Sequence, residues 1–424
     1  MAISGTPWYR MDNASVMYSA IQREEYSAIY RFSAWLREEV RPDALQRAVD
    51  RAMPRFPGFA VRIRRGFFWY YFEPNRANGP FVQPDSADPC RPVRFGEDNG
   101  WLVRFLYYGH RVSLEVFHAV ADGAGALVFF RAVLAEYLRQ MGEDVPADCA
   151  VDLDAPPVAE EWEDAYLRYS SRVSRRMPGV KRAYQDLGTP EPFYTFHVTM
   201  GFVPIDQLKA RAKALGGTIT EYLAAVLLHL LLEKQRRETP RRQKPVSLGI
   251  PVNLRQYFPT ETLRNFIMTV PVFADPALGE YSLAELVNLV RCQLRLHATP
   301  QELQAVLTRG VRLQYNPVLK VIPRVVKNVI MLRSYPKSGV RPFTATFTNP
   351  GYFALPEPMA RHVEHMEVVL GQAAVPRPHV SAIGYGDTME ITVSGVQRER
   401  DLEREFFRFL VRDGLHVRVE SNRR

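Results

Sequence analysis

Apolar and polar residues alternate along "WLVRFLYYGHRVSLEVF" (101–117) in two runs broken near Gly109, a spacing that predicts two strands joined by a turn. The period then changes. Leu127, Phe130, Leu134, Leu138 and Met141 recur at helical spacing, so a helix follows, starting near Gly123 with Asp122 as its N-cap. Upstream, 42–53 reads as a helix capped by Asp43, and 57–74 as a hairpin turned at Arg65-Gly66. "EEWEDAYLRYSSRVSRR" (160–176) reads as a helix, and the Pro- and Gly-rich stretch 177–192 as a linker.

The second half opens with a strand at 193–203 and a helix at 206–215. In "TITEYLAAVLLHLLLEKQ", Thr218 and Glu221 have the spacing of a capping box. A strand at 245–253 and two or three helices within 282–333 come next. Strands "PFTATFTN", "HVEHMEVVLG", "HVSAIGYG" and "TMEITVSGV" and a helix "LEREFFRFLVRDG" complete the chain. No short-period repeat is found. Both halves mix strands with helices, which predicts two α/β domains, 1–180 and 193–424, joined by a linker at 181–192.

With 424 residues the chain is too long for one ordinary core, and 46% hydrophobic with 24% charged residues fits a soluble globular protein. The longest apolar run, near 223–232, is interrupted by His229 and too short to span a bilayer. "MAISGTPWYRMDNAS" lacks the basic and apolar regions of a signal peptide. Cys90, Cys149 and Cys292 are too far apart for a disulfide framework or a CxxC metal site, so a cytoplasmic location is expected. The net charge is +9, with one dense stretch at 234–244. That stretch reads as a solvated loop, or else as a docking surface for an anionic ligand such as a phosphorylated cofactor. No nucleic-acid partner is expected, because aromatics are not interleaved with these cations. "VLKVIPRVVKNVIMLR" (318–333) is basic and apolar. A core-packed helix is the preferred reading over an interfacial one, and membrane contact is not expected.

Candidate chemistry centres on "VFHAVADGAGALVF" (116–129). Val112, Leu114 and Val116 share one strand face, and His118 joins it if the strand runs one residue further. Partial desolvation there favours the neutral imidazole, which is a general base. The N–H groups opening the next helix are free to stabilise an oxyanion, and Gly123 allows close backbone approach. A lone histidine beside a turn is more often structural, and Asp-Gly before a helix is ordinary capping. Yet from the 9 His and 25 Gly of the chain, HxxxDG arises by chance only about 0.03 times. Local residues leave both readings open.

The motif His118, Asp122, Gly123 resembles the signature of the superfamily of chloramphenicol acetyltransferases, plant BAHD acyltransferases and peptide-synthetase condensation domains. "GIPVNLRQYFPTETLRNF" (249–266), "TFTNPGYFALP" (346–356), "WYRMDNASVMYSA", "RFPGF" and "GFFWYYFE" are similar to its bacterial alcohol-acetyltransferase-like branch. The resemblance implies two related domains in a V, each a mixed sheet flanked by helices, with an interdomain tunnel. It implies acyl-CoA as co-substrate, a small-molecule alcohol or amine as acceptor, and no tightly bound cofactor. His118 is then the base, and the Gly123 N–H an oxyanion donor. Asp122 is a structural ion-pair partner of an arginine from the other domain, Arg255 first. Phe117 replaces the first histidine of the condensation-domain motif, no DFGWG motif is found, and no carrier module is attached. These departures favour a free-standing acyltransferase, with a diffusing acyl-carrier protein as an alternative donor.

The resemblance also implies that Thr348 and Asn349, at a strand end in the second domain, bind substrate near the reacting centre, while Asn349-Pro350-Gly351 reads equally as a turn. Trp69, Tyr70 and Tyr71 read as core before acceptor pocket. Asn253 reads as structural. His362 and His365 fall in a strand context without a third ligand, so no metal is expected. No phosphate-cradling glycine loop and no GxSxG elbow is present. The expected function is O-acylation, such as acetylation, of an alcohol. The alternatives are N-acyl transfer, transfer of a longer chain onto a lipid or polyketide hydroxyl, and a catalytically silent binding protein.

Overall fold

The alternating run forms two antiparallel strands, Val103–Tyr108 and Arg111–Phe117, turned at Gly109 with φ +51°. Val112, Leu114 and Val116 are buried, as the pattern requires, but so are Ser113 and Glu115 on the other face. The sheet is therefore covered on both sides. Its neighbour, Ile29–Leu36, did not stand out in the sequence because Arg31 and Ser33 interrupt its apolar run. Both are buried and satisfied: Arg31 lies 2.7 Å from Asp85 and 2.7 Å from Glu115, and Ser33 bonds Ser113 at 2.9 Å.

The computed structural model describes residues 8–23, 26–192, 195–372 and 377–423. The first large sheet runs Val363–Leu370, Ile29–Leu36, Arg111–Phe117, Val103–Tyr108, Val82–Pro84. Its outermost strand, Val363–Leu370, comes from the second half of the chain and pairs antiparallel with Ile29–Leu36. A division of the chain at 181–192 places that strand with the other sheet. The seven-stranded sheet runs Ile267–Ala274, Val246–Asn253, Ala345–Thr348, His379–Tyr385, Thr388–Gly395, His197–Pro204, Arg418–Ser421. A small third sheet joins Tyr9–Arg10, Tyr70–Pro74 and Val61–Arg65. Separate cores lie against the two large sheets, one containing Phe32, Phe117 and Phe129, the other Leu227, Phe347 and Phe406. The architecture is mixed α/β.

Helix Ile219–Glu238 has both bonds of its capping box, Thr218 N–H to Glu221 at 2.7 Å and Glu221 N–H to Thr218 Oγ1 at 3.3 Å. Other expectations need correction. Helix Pro42–Ala52 has Arg41 at its cap and Pro42 at its first position, and Asp43 sits inside the first turn. The stretch 160–176 is not one helix. It holds a 3-10 turn, Ala159–Trp162, and a single α-turn, Ala165–Arg168. The carbonyls of Glu161 and Glu163 accept instead from Leu263 N (2.8 Å) and Thr262 Oγ1 (2.9 Å), so tertiary bonds outcompete the helix. Prolines divide 282–333 into four helices, Leu283–His297, Pro300–Gln314, Pro317–Val321 and Arg324–Tyr335. Segment 318–333 meets the core only in part: Met331 packs against it, but Val325 and Val329 are exposed, while Lys327 is buried. The first two residues of the strand expected at 193–203 lie outside the described residues, and the strand spans His197–Pro204. Edge strand Ile267–Ala274 was not among the expected elements; it carries Pro271, which an edge position tolerates. No single helix among the described residues is long and apolar enough to cross a membrane.

Candidate active site

Strand Arg111–Phe117 ends one residue before the histidine, but His118 N–H still donates to Ala28 O at 2.8 Å, continuing the pairing. A turn follows, with Val120 N–H on Phe117 O at 2.8 Å, and then helix Gly123–Gln140. The imidazole stacks on Tyr18 (centroids 4.4 Å apart) and meets the edge of Tyr30 at 5.0 Å. Burial among these groups lowers its pKa from the ordinary histidine value, so the ring is neutral at pH 7.

Asn265 sets the tautomer. Its Nδ2 donates to the His118 carbonyl at 2.8 Å, which turns its Oδ1 toward His118 Nδ1, 3.0 Å away. A carboxamide oxygen only accepts, so Nδ1 carries the proton and Nε2 keeps a lone pair. Sequence reasoning missed Asn265, although the family-like stretch 249–266 contains it. Tyr18 and Tyr30 were missed too.

Asp122 is fully buried and faces away from this chemistry. Its Oδ1 accepts Gly125 N–H at 3.1 Å, and its Oδ2 accepts Arg255 Nη1 at 2.8 Å and Phe266 N–H at 2.7 Å. Arg255 also donates to Thr262 O (2.9 Å), Arg264 O (2.7 Å) and the Asn253 side chain (3.2 Å), so Asn253 serves the arginine. A second buried cap repeats the arrangement. Asp12 caps helix Asn13–Ile21 through Ser15 N–H at 2.8 Å and pairs with Arg264 at 3.0 Å.

Gly123 lines the same cavity as His118, and a Cβ there would meet Phe32 at 3.4 Å, an ordinary contact. Gly125, overlooked in the sequence, is the sterically required glycine: a Cβ would come within 2.0 Å of Leu263 O. Thr348 closes strand Ala345–Thr348 and lines the cavity. Asn349 lines it also, but its amide is engaged, donating to Thr220 Oγ1 at 3.1 Å and accepting from Gly351 N–H at 2.9 Å. With Gly351 at φ +95°, Asn349 builds a turn. Trp69, Tyr70 and Tyr71 do not line the cavity: Lys327 Nζ lies 3.2 Å from the Trp69 ring and Asn328 bonds the Tyr70 hydroxyl at 2.6 Å. His362 pairs with Glu143 at 3.2 Å and His365 stacks on Trp35 at 5.4 Å; the described residues hold no group suited to a metal.

The cavity encloses about 1650 Å³ between the two large sheets. Six cations line it, Arg131, Arg176, Lys181, Arg295, Arg309 and Arg377, and no carboxylate does among the described residues. Arg377 is buried. The dense basic run 234–244 is elsewhere, with Lys234 buried against Asp186 at 3.1 Å.

Three substitutions test the support beneath the histidine. Asp122→Ala strands the Arg255 guanidinium, at a cost of about 3–5 kcal/mol, and should lower Tm by roughly 6–20 °C. Gly125→Ala should also lower Tm by several degrees, because backbone must move, whereas Gly123→Ala should leave it nearly unchanged. Thermal melts decide this. Equal melting of Gly123→Ala and Gly125→Ala would contradict the packing argument.

No family model matches this sequence, and no curated protein is similar to it. Solved structures are similar over nearly the whole chain. Polyketide synthase associated protein 5 from Mycobacterium tuberculosis superposes with TM-score 0.65 at 17% identity, covering 97% of this chain and 98% of that one. TRI3 trichothecene 15-O-acetyltransferase from Fusarium sporotrichioides gives 0.61 at 11% identity, with 97% and 99% covered. A mutant starter condensation domain of rhizomide synthetase RzmA, in complex with C8-CoA and Leu-SNAC, gives 0.59 at 14%, with 95% and 93% covered. The chain has the two-lobed fold of condensation domains and chloramphenicol-acetyltransferase-like acyltransferases.

Proposed function

We propose that this protein is an acyl-CoA-dependent acyltransferase in which His118 is the general base. One observation carries the reading: a neutral imidazole of fixed tautomer at the wall of a large cavity lined by cations and, among the described residues, by no carboxylate. Exposed Arg176, Lys181, Arg295 and Arg309 suit the phosphates of coenzyme A. A condensation domain of this fold in complex with C8-CoA supports that donor.

In this reading His118 Nε2 removes the proton of an acceptor hydroxyl as its oxygen attacks the thioester carbonyl carbon. Gly123 and Ala124 begin the helix, and their N–H groups have no intrahelical acceptor, so they suit the oxyanion. Collapse breaks the C–S bond, and the imidazolium returns its proton to the departing thiolate. Asp122 and Arg255 hold the loop, Thr348 is a wall residue, and Asn349 shapes the turn beside it. The volume of about 1650 Å³ exceeds an ordinary drug-sized site of ~300–1,000 Å³, as a site for coenzyme A and an acceptor together requires, and leaves acetyl and longer acyl chains to be separated by assay. Amine acceptors and carrier-bound acyl donors are the competing substrates.

The test is thiol release from acyl-CoAs of increasing chain length with a panel of alcohols and amines. Turnover should require the acceptor, and His118→Ala should reduce it about 100- to 10,000-fold with Tm close to wild type. Undiminished turnover in that variant would remove the base assignment. The pH profile gives a second check. Because burial lowers the His118 pKa, kcat/KM should stay flat through neutrality and fall only in acid, below the usual histidine range. Asn265→Asp places a carboxylate on Nδ1 and should move that acid limb to higher pH. An unmoved limb would show that Asn265 does not set the base.

A further inference from the structure

Helix Arg324–Tyr335 is built inside out. Arg324, Lys327 and Asn328 lie at i, i+3 and i+4 on one side, with Met331 and Tyr335 continuing the row. This mostly polar row faces the protein. Arg324 Nε donates to Gly66 O at 3.0 Å, Lys327 Nζ to Phe68 O at 3.0 Å, and Asn328 Nδ2 to the Tyr70 hydroxyl at 2.6 Å. The opposite row is aliphatic and faces outward. Val325 is 64% exposed and Ile330 51%, with Val326 and Val329 between them also exposed. The hairpin turn that these bonds grip presents Phe67, 73% exposed, and Phe68 beside them. Hydrogen bonds on the inner side thus fix an apolar outer side contributed by two distant parts of the chain.

The stretch of chain that carries this helix has charge of one sign. From 303 to 356 the sequence carries eight Lys and Arg and no Asp or Glu, against a net +9 for the whole chain. Lys320, Arg333 and Lys337 are exposed along it. Aliphatic side chains ringed by unopposed cations suit a surface that is apolar inside and anionic outside. A second copy of the chain would set these cations against themselves. An acidic protein would answer both features only if it presented an apolar patch of matching extent among its carboxylates, a requirement that a lipid surface meets by its nature.

We propose that the outer face of helix Arg324–Tyr335, with Phe67 and Phe68, docks on an anionic lipid surface. Tyr335 at the end of this helix and Leu313 of the preceding helix Pro300–Gln314 line the cavity that holds His118. Docking therefore brings this part of the cavity wall toward the bilayer, the side from which a membrane-dissolved acceptor or acyl chain would approach. The docking itself does not depend on the acyl-transfer reading.

The test is co-sedimentation of the full chain with vesicles of phosphatidylcholine alone or mixed with phosphatidylglycerol. Binding is expected to the mixed vesicles, and to weaken strongly at about 1 M salt. The double variant Val329→Asp with Ile330→Asp should bind about tenfold more weakly or less, with Tm unchanged because both side chains already face solvent. Lys320→Ser with Arg333→Ser should lose the preference for the anionic lipid. Absence of vesicle binding by the wild type would overturn the proposal, as would binding that both variants leave intact. It is also overturned if the face instead mediates a dimer, dispersed by the aspartate variant in sedimentation velocity, or captures an acidic acyl-carrier protein while vesicles stay unbound.

Discussion

The Asp122 carboxylate is the constraint on which the site depends. A buried charge without compensation is too costly to keep, so its three donors must stay where they are. They come from the start of helix Gly123–Gln140, from Arg255 and from the Phe266 backbone. The helix start and the segment 253–266 of the other half therefore move together or not at all. Asp12 and Arg264 repeat the tie from another helix cap, and Ser15 Oγ of that helix donates to Ala119 O at 2.6 Å, beside the histidine. Leu263 O closes over Gly125, whose lack of a Cβ makes that approach possible. His118 is held among groups that are themselves held by buried charge.

Buried charge also explains why the first sheet can be covered on both faces. Glu115 and Asp85 lie in its interior with Arg31, Arg104 and Arg111 around them at 2.7–3.2 Å. Each carboxylate has more than one guanidinium, so none is left uncompensated. The cavity is organised the opposite way. Among the described residues no carboxylate joins its cations along the lining, and burial lowers the pKa of Arg377 there. The sheet thus neutralises its charges internally, whereas the cavity leaves a positive potential for whatever enters.

Legibility in the sequence followed how one-sided each element is. The strands within 101–117, the helix after Asp122 and the capping box at Thr218 showed clearly, because each has one apolar side or one local cap. Ile29–Leu36 did not, since its polar residues are buried and paired with partners more than fifty residues away. Helix Arg324–Tyr335 misled for a related reason. Its valines suggested a core face, but Gly66, Phe68 and Tyr70 supply polar partners that draw its Arg, Lys and Asn inward. Stretch 160–176 has helical composition and lost it to bonds with Thr262 and Leu263. For the site, His118, Asp122 and Gly123 were visible as a motif, and Arg255 through resemblance. Asn265, 147 residues from His118, carries no local signal.

The segment 253–266 joins two requirements that are separable in principle. It supplies two of the three donors that compensate Asp122, and through Asn265 it supplies the bond that keeps a lone pair on His118 Nε2. Displacing it exposes a buried charge and frees the imidazole tautomer in one movement. An opening of the cavity by separation of the two halves at this point would therefore remove the proposed base as it admitted substrate. Access compatible with an intact base must leave this segment in place, and so comes from parts of the lining outside 253–266. The physical tie that builds the site also limits the directions from which it can be filled.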